Sequence, residues 1–144
     1  LPIIGNGDVG TPEQAVNRYK TYGVDAVMIG RGALRNPFLF EQSRDLLAGK
    51  TPEPVTAERL LELLGKQRIY LRESFDSRGA LLHARKFLAW YSSGYPGSAD
   101  FRRKVFHIPT EEELWSESNE FFSVAMRKRD FAFLDEPFLM GGHG

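Results

Sequence analysis

Pro2-Ile3-Ile4-Gly5-Asn6-Gly7-Asp8 and Ala26-Val27-Met28-Ile29-Gly30-Arg31-Gly32-Ala33 follow one plan: a short apolar run ends in a glycine-studded turn. Glycine lets backbone N–H groups crowd an anion that a side chain would push away. From Ile3 to Val27 is 24 residues, the length of a short strand–helix–strand unit. Two such turns at the ends of neighbouring parallel strands are how a barrel of alternating strands and helices holds a phosphate. Two strands cannot close a barrel, so the expectation is a piece of a larger α/β assembly.

Local signals around the turns agree. Thr11-Pro12-Glu13-Gln14 predicts a helix start, with Thr11 as N-cap, Pro12 in the first helical position and Gln14 completing a capping box. Gly23 ends that helix in a left-handed cap. Val24 to Ile29, broken only by Asp25, has the pattern of a strand buried on both faces of a parallel sheet. Asn36-Pro37 then predicts a second helix over 38–48, stopped by Gly49.

Thr51-Pro52-Glu53-Pro54 is a stiff linker, and beyond it strand patterns give way to helical ones. The expected division is therefore 1–50 and 51–144. Thr56 caps a helix with Leu60, Leu64, Leu71 and Phe75 on one stripe, and Ser77-Arg78-Gly79 is expected to break it. A second helix carries Ala80, Ala84, Phe87 and Tyr91 on one face. Gly94-Tyr95-Pro96-Gly97 turns into a third with Phe101, Val105 and Ile108. Thr110-Glu111-Glu112-Glu113 forms another capping box, whose carboxylates suit the positive helix end. That helix is expected to run to Arg127-Lys128-Arg129. Four such helices predict an all-α bundle.

Composition narrows the classes. Charged residues are 26% and hydrophobic residues 42%, ordinary for a globular chain. Net charge is zero, so a nucleic-acid site would have to be a local patch. The chain holds no cysteine, which excludes disulfides, zinc thiolates and a cysteine catalyst within these residues. No apolar run approaches the roughly 20 residues of a membrane span. With no signal-peptide pattern, the expected compartment is cytoplasmic. His83, His107 and His143 are too scattered for a metal site.

In the turns, Asn6 can donate through its amide, and Arg31 offers a forked cation to phosphate oxygens beside the N–H groups of Gly30 to Gly32. Asp8 would repel phosphate, so its partner is expected to be a hydroxyl, a backbone N–H or Arg31. Singly, each turn also reads as an ordinary βα connection; the pair favours phosphate binding.

These residues resemble a family. The first turn segment, and Val27 through Gly30-Arg31-Gly32-Ala33-Leu34-Arg35 to Asn36-Pro37, are similar to the last two strand–loop segments of bacterial tRNA-dihydrouridine synthases. His83-Ala84-Arg85-Lys86, Trp90-Tyr91, Gly94, Pro96-Gly97 and Phe101-Arg102 resemble that family's helical domain. The resemblance implies the last two βα units of a TIM barrel followed by a helical tRNA-binding domain. It also implies FMN as cofactor, NADPH as reductant, and reduction of uridine to dihydrouridine in tRNA. Asn6, Gly7, Asp8, Gly30 and Arg31 match positions holding the FMN phosphate and ribityl end. The family's proton-donating cysteine lies upstream of the matched stretch, so no catalytic residue carries over and the segment alone is expected to be inactive.

Residues 51–134 carry thirteen Lys and Arg against twelve Asp and Glu, so RNA contacts would depend on sorting rather than total charge. Arg85 and Lys86 are the candidate RNA-binding residues, with heads expected to reach solvent. Trp90, Tyr91 or Tyr95 could stack a base or belong to the core. Two other functions remain open: a different FMN-dependent barrel oxidoreductase acting on a small molecule, and a non-enzymatic helical interaction module. Unpaired strand edges in the first 49 residues would leave that region poorly ordered, refolded onto the bundle or self-associated.

Overall fold

The computed structural model describes residues 1–125; Arg127-Lys128-Arg129, the tail from Phe131 and His143 lie outside the described residues. The chain divides into two compact units between Pro54 and Val55.

In the first unit, β1 (Ile4–Gly5) and β2 (Ala26–Val27) pair in parallel, with Ile4 opposite Ala26 and Gly5 opposite Val27. Between them runs α1 (Pro12–Thr21). Thr11 Oγ1 accepts from the Gln14 N–H at 3.2 Å, as the capping signal predicts, and Gly23 adopts φ 62° just past the helix. The Gln14 side chain reaches one residue further than a capping box requires, accepting from Gly10 N at 2.8 Å. Asp25, which interrupts the apolar run, holds the start of β1: its Oδ2 accepts from Ile3 N at 2.7 Å.

After β2 comes α2 (Gly32–Arg35), a single turn that the sequence reading did not anticipate, then α3 (Leu39–Leu47). Asn36 joins them, with its Oδ1 accepting from Phe38 N at 3.1 Å. α1 packs against β2 and α3, burying Val9, Ala15, Phe38 and Leu39.

The expectation that Val24 to Ile29 is buried on both faces is corrected. β2 is two residues long, Ala26 and Met28 are exposed, and Val24, Val27 and Ile29 are only partly covered. Among the described residues the sheet has one neighbour per strand, so nothing covers its remaining apolar groups. Ile3 and Ile4 stand 60% and 64% exposed.

The second unit is helical: α4 (Ala57–Ser74), α5 (Ser77–Tyr91), α6 (Ser98–Val105) and α7 (Glu111–Ala125). α5 packs against the other three, and α4 also meets α7. The stripe of α4 buries Leu60, Leu64 and Leu71 as expected, but Phe75 lies past the helix end and is exposed. Ser77-Arg78-Gly79 does not break the chain; it is the first turn of α5. Asp76 caps it, accepting from Gly79 N at 2.7 Å, so the joint is Phe75-Asp76. On α5 the core side is Ala80, Ala84, Leu88, Ala89 and Tyr91, with Phe87 only half-buried. Phe101, Val105, Ile108, Leu114 and Phe122 complete this core. Phe121 stacks on Phe101 at 4.1 Å between centroids, at the margin of that core.

Candidate functional site

Because β1 and β2 are parallel and in register, their C-terminal ends deliver both glycine turns to the same edge of the sheet. The turns meet there. Arg31 Nη2 lies 2.5 Å from Asp8 Oδ1, so of the partners open to Asp8 the structure selects Arg31. The two side chains are 51% and 80% exposed, so water screens the pair and it adds little stability. The contact places Arg31: one guanidinium edge rests on Asp8, and among the described residues its other donors meet no acceptor, an arrangement able to take an oxyanion.

The surrounding backbone suits the same purpose. Among the described residues the N–H groups of Gly30, Arg31 and Gly32 donate to no acceptor. A Cβ added at Gly30 would meet nothing within 4 Å, so open space faces this turn. Gly32 is glycine for another reason: a Cβ there would collide with the Val9 carbonyl and approach Leu39 Cδ2 to 3.0 Å. Asn6 turns its Oδ1 back to accept from Gly7 N at 2.7 Å, which leaves its amide nitrogen uninvolved in this turn.

Arg18 was not foreseen. Its Nη2 donates to the Asp8 carbonyl at 2.8 Å, and its guanidinium occupies the space a Gly7 side chain would need. A basic residue in the last turn of α1, it carried no sequence signal for this contact; the packing of α1 brings it to Asp8. A cleft of about 320 Å³ lies beside it, lined by Gly5, Asn6, Arg18, Tyr22, Val24 and Val27. Arg31 and Gly30 are not among its walls, so only the first turn, through Gly5 and Asn6, borders this cavity.

In the helical unit the candidate pair separates. Lys86 is exposed, its ammonium 5.8 Å from the Trp90 ring centroid. Arg85 does not reach solvent freely: Nη2 donates to the Ile108 carbonyl at 2.5 Å and its buried Nε has no acceptor among the described residues. Tyr91 and Tyr95 are 8% and 7% exposed and belong to the core, leaving Trp90 as the accessible ring. Burial also pushes the Tyr91 phenol above its ordinary pKa. His83 stacks on Phe75 at 4.2 Å.

A second feature lay beyond sequence reading. Glu111, expected to serve the helix dipole, accepts from Arg68 Nε at 3.0 Å, Arg72 Nε at 2.9 Å and Trp115 Nε1 at 3.1 Å. Burial pushes its carboxyl up, but the hydrogen bonds and charges of Arg72 and Arg68 outweigh this and hold it below the ordinary range. Arg68 and Arg72 stand one turn apart on α4, but their partner is about 40 positions away in sequence. Among the described residues no His, Asp and Glu group could hold a metal, and no helix is long and apolar enough to cross a membrane.

Known proteins match this chain along most of its length. The dihydrouridine synthase family model matches residues 1–127. A tRNA-dihydrouridine synthase B of Xanthomonas campestris is 36% identical over 126 residues, covering 86% of this chain and 38% of that protein. A probable tRNA-dihydrouridine synthase of Mycobacterium tuberculosis is 32% identical over 115 residues, covering 79% and 30%. For a probable tRNA-dihydrouridine synthase of Rickettsia conorii the identity is 36%, with 88% and 38% covered. The chain thus spans 30 to 38% of the length of these relatives.

Proposed function

The chain belongs to the dihydrouridine synthase family, and on that footing we propose that it is the C-terminal portion of an FMN-dependent tRNA-dihydrouridine synthase. The first unit contributes the last two βα units of a TIM barrel, and the helical unit binds tRNA. The carrying observation is the 2.5 Å contact between Asp8 and Arg31, which joins two turns 23 positions apart into one anion cradle.

The residues fit a phosphate-bearing cofactor. Arg31, positioned by Asp8, offers its free guanidinium donors to phosphate oxygens, and the N–H groups of Gly30 to Gly32 add neutral donors. Gly30 leaves room for close approach. Asn6 and Gly7 border the ribityl end, and Asp8 accepts from a hydroxyl there while keeping Arg31 aimed. FMN, when bound, supplies the hydride that NADPH replenishes and uracil receives. This chain's residues hold and orient its phosphate end; the reacting ring and the proton donor belong to the remainder of the protein. Lys86, with Arg85 behind it, serves the tRNA side. The setting is the cytoplasm, where tRNA and NADPH meet.

The reading is tested on the full-length protein, taken as this segment within a synthase-length chain. It should reduce uridine in unmodified tRNA with NADPH, and Arg31→Ala should weaken flavin retention by about tenfold or more and lower activity with it. The 144-residue chain alone should be silent and hold FMN weakly or not at all. Uridine reduction by the segment alone, or a full-length protein without flavin, would overturn the proposal. Exposed Ile3, Ile4 and Met28 further support self-association of the isolated segment, to be read by sedimentation velocity.

A further inference from the structure

α5 carries three full cations, Arg78, Arg85 and Lys86, and no carboxylate. Such a helix differs from its neighbours: on α4 Arg68 and Arg72 meet Glu111 and Glu112, and on α6 Arg103 pairs with Asp100 and Lys104 with Glu117. Among the described residues Arg78 and Lys86 make no ion pair. Both are exposed, with the 48%-exposed Leu82 between them. Eight residues of helix place them about 12 Å apart along the axis and within roughly 80° of arc. Among the described residues Lys86 is steadied by the Trp90 ring, a contact that leaves ammonium protons free. Asp76, the adjoining acid, is occupied in capping the helix through Gly79 N.

Arg85 stands on the same helix but does different work. Its head is turned to the Ile108 carbonyl at 2.5 Å, which ties α5 to the chain just after α6. There the head is part-buried, with Nε shielded from solvent, whereas Arg78 and Lys86 are exposed.

We infer that Arg78 and Lys86 are the two backbone-phosphate contacts of the RNA-facing stripe of α5, and that Arg85 is a positioning residue that fixes the helix presenting them. This rests on the tRNA reading above and divides its residues. Two cations without an ion pair, about two turns apart on a helix with no carboxylate of its own, suit a regularly spaced polyanion. Glu111 and Glu112, which share a cleft with Arg78, are held by Arg68 and Arg72. The half-buried Trp90 ends the stripe with an aromatic ring beside which an unpaired base can stack.

The test measures binding of an unmodified tRNA transcript to the full-length protein as a function of salt. Each phosphate contact contributes about 0.7 to 0.9 to the slope of log affinity against log salt. Arg78→Ala and Lys86→Ala should each weaken binding several-fold and lower the slope by about that amount, with melting temperature unchanged. Arg85→Ala should lower the melting temperature and the affinity while leaving the slope intact, because it removes no phosphate contact. Arg85→Lys should not restore the affinity, since the shorter, unforked head does not reproduce the Ile108 contact. An Arg78→Ala protein with parental affinity and slope overturns the inference while sparing the tRNA reading. A loss of slope in Arg85→Ala at unchanged stability overturns it too. If the parent protein binds no tRNA, the reading beneath it fails as well.

Discussion

The helical unit closes a core from its own residues; the sheet unit leaves much of its apolar surface open. In the first, Leu64, Leu88, Val105, Leu114 and Phe122 are fully buried. In the second, among the described residues, Leu39 is the one large side chain in that state, while Ile3, Ile4, Met28 and Phe40 are roughly half exposed or more. Helices satisfy their backbone internally and need only one covered stripe, so four of them suffice. Parallel strands need neighbours at both edges and layers on both faces. The contrast teaches that stability in this chain lies with the bundle, whereas the Asp8–Arg31 pair stands on an open surface.

The largest test of that contrast is Phe122→Ala. The ring meets Tyr95, Phe101 and Phe121, and its loss should cost about 3 to 5 kcal/mol in chemical denaturation of the chain. Ile4→Ser should change the same transition little; an equal loss would mean that the sheet face is packed. Next comes Gly32→Ala, where the new methyl meets the Val9 carbonyl and should cost about 1 to 3 kcal/mol. Gly30→Ala, facing open space, should leave the fold unchanged, which separates the two glycines by role.

Smaller again is Glu111→Gln, expected at about 1 to 2 kcal/mol because Arg72 is half in water. Its sign with pH is fixed. Glu111 favours its charged form more in the folded chain than in the unfolded one. Its contribution is therefore complete above the ordinary carboxylate value of 4.5 and is lost as pH falls through the lower folded value. Thermal melts between neutral and acid pH should show this loss in the parent, and Glu111→Gln should flatten it. The smallest effect belongs to the exposed Glu62–Lys66 pair on α4, where Glu62→Gln should leave the melt unchanged.

Legibility followed distance along the chain. Thr11, Thr56 and Thr110 announced their helices because a cap is a contact across three residues. Gly79 misled for a local reason: it resembles a breaker, yet it is the close-packed donor to Asp76, where a Cβ would approach Oδ1 to 2.9 Å. The Asp8–Arg31 meeting was legible across 23 positions because the βαβ period fixes where both turns land. No comparable rule relates Arg85 to Ile108, Arg18 to Asp8 or Arg68 to Glu111; those partners depend on how helices return, which composition and periodicity do not encode.

The most direct measurement is the FMN dissociation constant of the full-length protein, parent against Arg31→Ala, with Asp8→Asn as the intermediate case. Removing a charge-assisted phosphate contact should weaken binding by about tenfold or more, and releasing Arg31 from Asp8 by less. An Arg31→Ala protein that holds flavin as tightly as its parent would contradict the account at its centre.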